Sequence, residues 1–155
     1  PIQSAELLAA ARDLINENVD WSKIDVILGI EAMGIPLAAA LCLHSGKPLV
    51  IGRKREYGLP GETPIDQSTG YSKGAIYLND IHEGDRVFIV DDVVSTGGTL
   101  LPILKGIDKI GAIVADCWIV FEKGEGMNYV RSHGDWPLNS LVRIEMQGNK
   151  VVLLD

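Results

Sequence analysis

Two adjacent carboxylates, Asp91 and Asp92, close the short apolar run Phe88-Ile89-Val90 and are followed by Val93-Val94 and then Ser95-Thr96-Gly97-Gly98-Thr99. Such a run reads as a buried parallel strand that delivers two acids to its carboxyl edge, where open α/β sheets bind ligands. The two glycines let the backbone curl with its N–H groups turned inward. Three hydroxyls line the same concavity, just ahead of a helix N-terminus. An anion cradle therefore lies beside a pair of acids, and the ligand implied carries a phosphate at one end and hydroxyls or a bound cation at the other. On an extended strand the two acids would face opposite sides. At a strand end the chain turns, and both are expected to reach the crevice.

The elements that must position these groups alternate. Residues 3–17 carry Leu7, Leu8, Ala11, Leu14 and Ile15 at helical spacing, the pattern of an amphipathic helix. Asp25 to Ile30 predicts a buried strand, Gly34 to His44 a helix closed by Ser45-Gly46, and Leu49 to Ile51 a second strand. Tyr57 to Asp80 holds six glycines and prolines with little periodicity before Ala75-Ile76-Tyr77-Leu78, which predicts a functional lid or a long hairpin. After the strand with the acids, a helix is expected from about Thr99 to Ile110, ended by Gly111 and with Pro102 in its first turn. Ile113 to Phe121 predicts another strand, Glu122 to Asn139 an irregular segment, and Leu141–Glu145 with Val151–Leu154 a closing strand pair. Strands alternating with helices give an α/β fold, a doubly wound and mainly parallel sheet flanked by helices. With no repeat, low-complexity tract or linker, residues 1–155 form one domain.

Composition narrows the partners. A net charge of −7 argues against a nucleic-acid surface, and Arg53-Lys54-Arg55 is the only basic cluster. Three cations at a strand end suit one polyanionic small molecule better than a duplex. No apolar run approaches the roughly 20 residues of a membrane span, so no membrane partner is expected. Cys42 and Cys117 lie in apolar segments without CxxC or histidine spacing, which fits buried free thiols and a cytoplasmic setting. His82 and His133 have no ligand-spaced partners, and His44 falls at a helix end, where it complements the dipole.

The stretch from Phe88 to Leu100 resembles the 5-phosphoribosyl-1-diphosphate (PRPP) signature of type I phosphoribosyltransferases. The resemblance implies that Asp91 and Asp92 hold the ribose hydroxyls of PRPP, directly or through Mg²⁺, so that any metal is held indirectly through PRPP. It implies that Ser95, Thr96, Gly97, Gly98 and Thr99 hold the 5-phosphate. The turn Glu31-Ala32-Met33-Gly34 resembles the family's pyrophosphate loop, although adenine-type enzymes have arginine where Met33 stands. Arg53-Lys54-Arg55, followed by Leu59-Pro60-Gly61, is similar to the adenine-type basic segment, with Arg55 the first choice for contact with departing pyrophosphate. Lys73, in the expected lid, is either a further pyrophosphate contact or an exposed lysine, and Gly70 stands where adenine-type enzymes have glutamate.

For the base, Val94, Ser95 and Lys123 are the candidates. Ser95 stands where 6-oxopurine enzymes of the mammalian hypoxanthine-guanine kind carry an aspartate, and Lys123 follows the strand after which those enzymes place a lysine on the purine O6. The whole arrangement looks closest to archaeal hypoxanthine/guanine phosphoribosyltransferases. That implies a purine-salvage transferase using Mg²⁺, PRPP and a purine base, with a second copy of the chain as its partner in a homodimer. The alternatives are an adenine phosphoribosyltransferase and a PRPP-sensing regulator without catalysis. Members of the group carry an additional N-terminal segment contributing to a hood over the base. Since this chain starts at the first helix, either that hood segment is missing ahead of Pro1 or the base site is incomplete.

Overall fold

The computed structural model describes residues 3–69 and 72–154, with the backbone alone over 67–69 and 72–73. Helix α1 (Ala5–Asn18) is capped by Ser4, whose side chain accepts the Leu7 N–H. It leads through a short 3-10 turn into strand β1 (Val26–Ile30), every residue of which is buried. Helix α2 (Gly34–Ser45) follows and stops at Gly46, left-handed at φ 73°, a conformation that costs glycine nothing. Strand β2 (Leu49–Gly52) comes next. The antiparallel strands β3 (Thr63–Thr69) and β4 (Ser72–Leu78) then form a separate two-stranded sheet. The segment expected as a lid or hairpin is therefore a hairpin, with Ile65, Ile76 and Leu78 buried at its root.

Strand β5 (Arg86–Val94), helix α3 (Leu100–Ile110) and strand β6 (Ile113–Lys123) carry the signature region, with Gly111 left-handed at the end of α3. Helix α4 (Gly126–Arg131) occupies part of the stretch expected to be irregular. Six residues with a few apolar positions are too few for helical periodicity to register in the sequence. Strands β7 (Leu138–Gln147) and β8 (Lys150–Leu154) pair antiparallel as expected, but they are not a separate appendage. β7 also pairs parallel with β6, which extends the main sheet to the order β2-β1-β5-β6-β7-β8.

Two cores sandwich this sheet. One packs α1 and α2 residues such as Ile15, Leu37 and Leu41 against Ile27, Phe88 and Val90. The other packs the hairpin, α3 and α4 against Leu28, Ile89 and Ile119. Connections on opposite faces leave β1 and β5 as neighbours at the point where the strand order reverses, and crevices for ligands open there at the carboxyl ends.

Candidate active site

The crevice is built from the ends of β1 and β5. Pairing between them runs only from Val26↔Val87 to Gly29↔Val90, so the next residues of β5 lose their β1 neighbour. Those residues are Asp91 and Asp92. The chain does not turn there, contrary to the expectation that both acids would reach the crevice from a turn. β5 stays paired with β6 through Val94↔Glu122, and the alternation of an extended strand persists. Asp91 accordingly lines the crevice with the Val93–Leu100 segment, around a cavity of about 180 Å³, whereas Asp92 does not line it. Each carboxylate accepts the next backbone N–H, Asp92 N to Asp91 Oδ1 and Val93 N to Asp92 Oδ1, both at 2.8 Å.

Burial pushes the Asp91 carboxyl up to about 8; the Asp92 N–H draws it back down, the Asp92 charge raises it, and the nearby Lys54 charge lowers it. An acid so placed is poised to ionise when hydroxyls or a cation arrive.

The turn after β1 meets this acid directly. A Cβ at Gly34 would lie 2.8 Å from the Val90 carbonyl oxygen and 3.1 Å from Asp91 Oδ1. Only glycine lets the turn approach so closely. The Glu31–Ala32 peptide is cis. Glu31 accepts the Lys54 N–H at 2.6 Å, which ties the turn to the basic segment. Its carboxylate thus positions the segment, and Ala32 and Met33 supply the exposed and half-buried surface of the turn.

The three cations separate. Lys54 and Arg55 are exposed, and Lys54 is the one whose charge is felt at Asp91. Arg55 lies 5.6 Å from the Tyr57 ring centroid. Arg53, expected to face pyrophosphate, is buried and turned inward: it pairs with Glu62 at 2.7 Å, donates to Asn79, and stacks 4.0 Å over the Tyr57 ring. The side chain of Lys73 lies outside the described residues, as do Gly70 and Tyr71.

The cradle follows β5. Gly97 adopts φ 80°, and a Cβ there would lie 2.8 Å from both the Gly126 carbonyl oxygen and Val130 Cγ2. A Cβ at Gly126 would in turn run into the Ser95 carbonyl and lie 3.0 Å from the Gly97 nitrogen. Helix α4 is therefore the back wall of the cradle, a relation that sequence reasoning missed. Gly98 N donates to Thr96 Oγ1 at 3.1 Å, and Leu101 N to the Gly97 carbonyl at 3.1 Å, which starts α3. Ser95 and Thr96 are exposed, and Thr99 with Gly98 lines the same cavity.

Val94 is buried and lines the cavity. Lys123 does not line it; at the carboxyl end of β6 it pairs with Ile144 of β7. Its neighbour Glu122, only 2% exposed, accepts Ser140 Oγ at 2.7 Å and pairs with Arg131 at 3.3 Å and Arg143 at 3.8 Å. Through Arg131 it holds α4 against the cradle.

Residues 3–139 match the phosphoribosyl transferase domain. The chain belongs to the phosphoribosyltransferase family. It is 47% identical over 154 residues to a hypoxanthine/guanine phosphoribosyltransferase from Methanotorris igneus, covering 99% of this chain and 84% of that one. It is 52% identical over 132 residues to a protein of the same name from Ferroglobus placidus, covering 85% of this chain and 70% of that one. Among solved structures, an adenine phosphoribosyltransferase from Rhodothermus marinus is 26% identical with a TM-score of 0.80, covering 92% of this chain and 82% of that one. That from Thermoanaerobacter pseudethanolicus, 23% identical with a TM-score of 0.80 and covering 92% and 83%, shares the type I phosphoribosyltransferase fold. The chain is thus a purine phosphoribosyltransferase of the type I class, and its doubly wound, mostly parallel sheet is that fold.

Proposed function

We infer that this phosphoribosyltransferase transfers the 5-phosphoribosyl group of PRPP to hypoxanthine or guanine, giving IMP or GMP and pyrophosphate. The observation that carries the reading is the single crevice in which the glycine cradle, the Asp91 carboxyl and the Glu31–Gly34 turn meet. The 6-oxopurine choice is supported by relatives 43–52% identical that bear the hypoxanthine/guanine name, against 26% or less for the adenine enzymes of like fold named above.

A purine ring nitrogen attacks C1 of the ribose while the bond from C1 to the pyrophosphate oxygen breaks; that electron pair leaves with pyrophosphate, and the proton of the purine imidazole N–H passes to water. Backbone N–H groups of Ser95–Thr99 fix the 5-phosphate, Asp91 fixes the ribose hydroxyls from inside the crevice, and the Asp92 side chain swings over the strand end to join it when PRPP binds. The turn at Ala32–Gly34 and the cations of Lys54, Arg55 and Lys73 meet the leaving group. Arg53 and Glu31 support them by holding the basic segment in place. Val94 and Ser95 face the base, with Lys123 outside the cavity at the same edge of the sheet. Ser95 is a weak base, so catalysis rests on positioning and charge stabilisation.

Among the described residues no three histidines, cysteines or acids cluster into a metal cage. Mg²⁺ prefers substrate phosphates, waters and one or two carboxylates, and a buried acid beside an anion cradle fits a cation that arrives with PRPP. Asp91 and Asp92 would hold it through PRPP, and its charge would neutralise the departing pyrophosphate. We take the protein to work in the cytoplasm as a homodimer, as the family resemblance implies and as its two free thiols fit.

Competition kinetics with PRPP, Mg²⁺ and the three purines tests the base. Hypoxanthine and guanine should be consumed ahead of adenine, since a site built to bond one substituent rejects its counterpart by factors up to about 10⁴. Adenine preferred tenfold would instead make the protein an adenine phosphoribosyltransferase.

A further inference from the structure

A second cavity, of about 590 Å³, lies outside the crevice, between the outer face of α3 and strand β3. It falls in the size range of small-molecule sites. Lys105 and Lys109 both line it, and their spacing of four residues puts them on one helix face a turn apart. Both are exposed, and neither is ion-paired to any described residue. Two like charges at this spacing repel, and an anion between them would turn that repulsion into attraction. They stand so in a chain whose net charge is −7. One acid, Asp66, lines the same cavity without pairing to either lysine.

The two ends of the cavity differ in chemistry. At one end Tyr129, 47% exposed, presents an aromatic ring beside Gly97 and Gly98. Toward the other lie the lysines, Lys105 about two helical turns, or ~11 Å, and Lys109 about three turns, or ~17 Å, along α3 from Gly98. An aromatic wall followed by two free cations matches the length and polarity of a nucleotide, its base on the ring and its phosphates on the lysines.

The geometry points to a second anion site along α3, in which Lys105 and Lys109 hold a phosphate-bearing small molecule. The wall it shares with the cradle, Gly97-Gly98, and the wall it shares with the hairpin, Thr63–Asp66, put its occupant in contact with both the cradle and the hairpin. Any effect of occupancy on PRPP affinity must be returned in equal measure by PRPP.

Calorimetric titration of the full chain with ATP, and separately with inorganic triphosphate, tests the site. Mg²⁺ and saturating PRPP are present to fill the crevice, and base is omitted so that nothing turns over. The expected result is single-site binding that weakens tenfold or more in the Lys105→Ala/Lys109→Ala double variant, whose basal turnover stays unchanged. ATP binding with triphosphate silent identifies a nucleotide as the ligand, and binding of both identifies the phosphate chain alone. No binding of either probe at millimolar concentration overturns the proposal. So does binding that the double variant retains, or binding that PRPP displaces. Lysine-dependent uptake of the probe by a chain that fails to bind PRPP would keep this site and sink the proposed function instead.

Discussion

From Ser95 to Thr99 the chain is held by backbone packed on backbone, Gly126 against the Ser95 carbonyl and Gly97 against the Gly126 carbonyl. From Arg53 to Asn79 the chain pairs with itself as the β3–β4 hairpin and is tied to the end of β2 largely by side chains, with Arg53 clamped between Glu62, Asn79 and the Tyr57 ring. A single backbone bridge, Arg53↔Tyr77, joins the hairpin to the end of β2. Ile65 supports the hairpin from the α3 side, where any Cβ at Gly106 would clash with it. The first construction tolerates no added atom and keeps amides aimed at a fixed point. The second can give way by rotating side chains. A site that must grip a phosphate before the leaving group departs needs both, a rigid cradle and a yielding arm.

The largest effect should come from the acids beside the cradle. Asp91→Asn with Asp92→Asn removes charge-assisted bonds to two ribose hydroxyls, about 3 kcal/mol or more, and kcat/KM should fall on the order of a hundredfold or further. The fold should survive by circular dichroism. An unchanged rate and PRPP affinity in that double variant would remove the acids from the site.

Next comes the rigid wall. In Gly126→Ala the added methyl must displace the Ser95 carbonyl, and overpacking of this kind costs about 1–3 kcal/mol. The KM for PRPP should rise on the order of tenfold, more than kcat falls, because the distortion is at the phosphate end. Equal kinetics would show that the cradle gives as readily as the arm.

Arg53→Ala breaks the arm's clamp and leaves Glu62, whose side chain is 7% exposed, without its partner. Limited proteolysis should then cut within 57–80 several-fold faster, while PRPP binding changes by less than about threefold. In the parent protein, Mg²⁺ and PRPP should protect the same stretch. Equal cutting in both chains would make the clamp incidental.

The titration of Asp91 tests the burial of the crevice side by pH. Asp91 keeps its proton to about pH 8 in the folded chain, but an unfolded aspartate releases it near 3.9. Its contribution to stability is therefore present below about pH 4 and is lost as the pH rises toward 8. Asp91→Asn should raise the melting temperature relative to the parent at pH 8.5 and leave the difference near zero at pH 4. A constant difference across that range would contradict the burial of the acid.

Local chemistry carried most of the sequence reading. The β5–cradle–α3 run was legible because strand, acids, glycines and helix start are all within one short stretch, and Gly46 and Gly111 marked helix ends through their own backbone freedom. What escaped depends on contacts distant in sequence. The inward turn of Arg53 is set by Asn79, and α4 owes its place to Glu122, Arg131 and the cradle it braces. The separate directions of Asp91 and Asp92 follow from β5 staying paired with β6 beyond the acids, a register that no local pattern encodes. Lys123 was readable as a cation after a strand, but the inner position belongs to Glu122, one residue earlier.

A crystal structure of the protein with Mg²⁺ and PRPP tests the central claim most directly. The account predicts the 5-phosphate within hydrogen-bonding distance of the amides from Ser95 to Thr99, with the ribose hydroxyls turned toward Asp91 and Asp92. PRPP found elsewhere, with the cradle empty beside it, would contradict it.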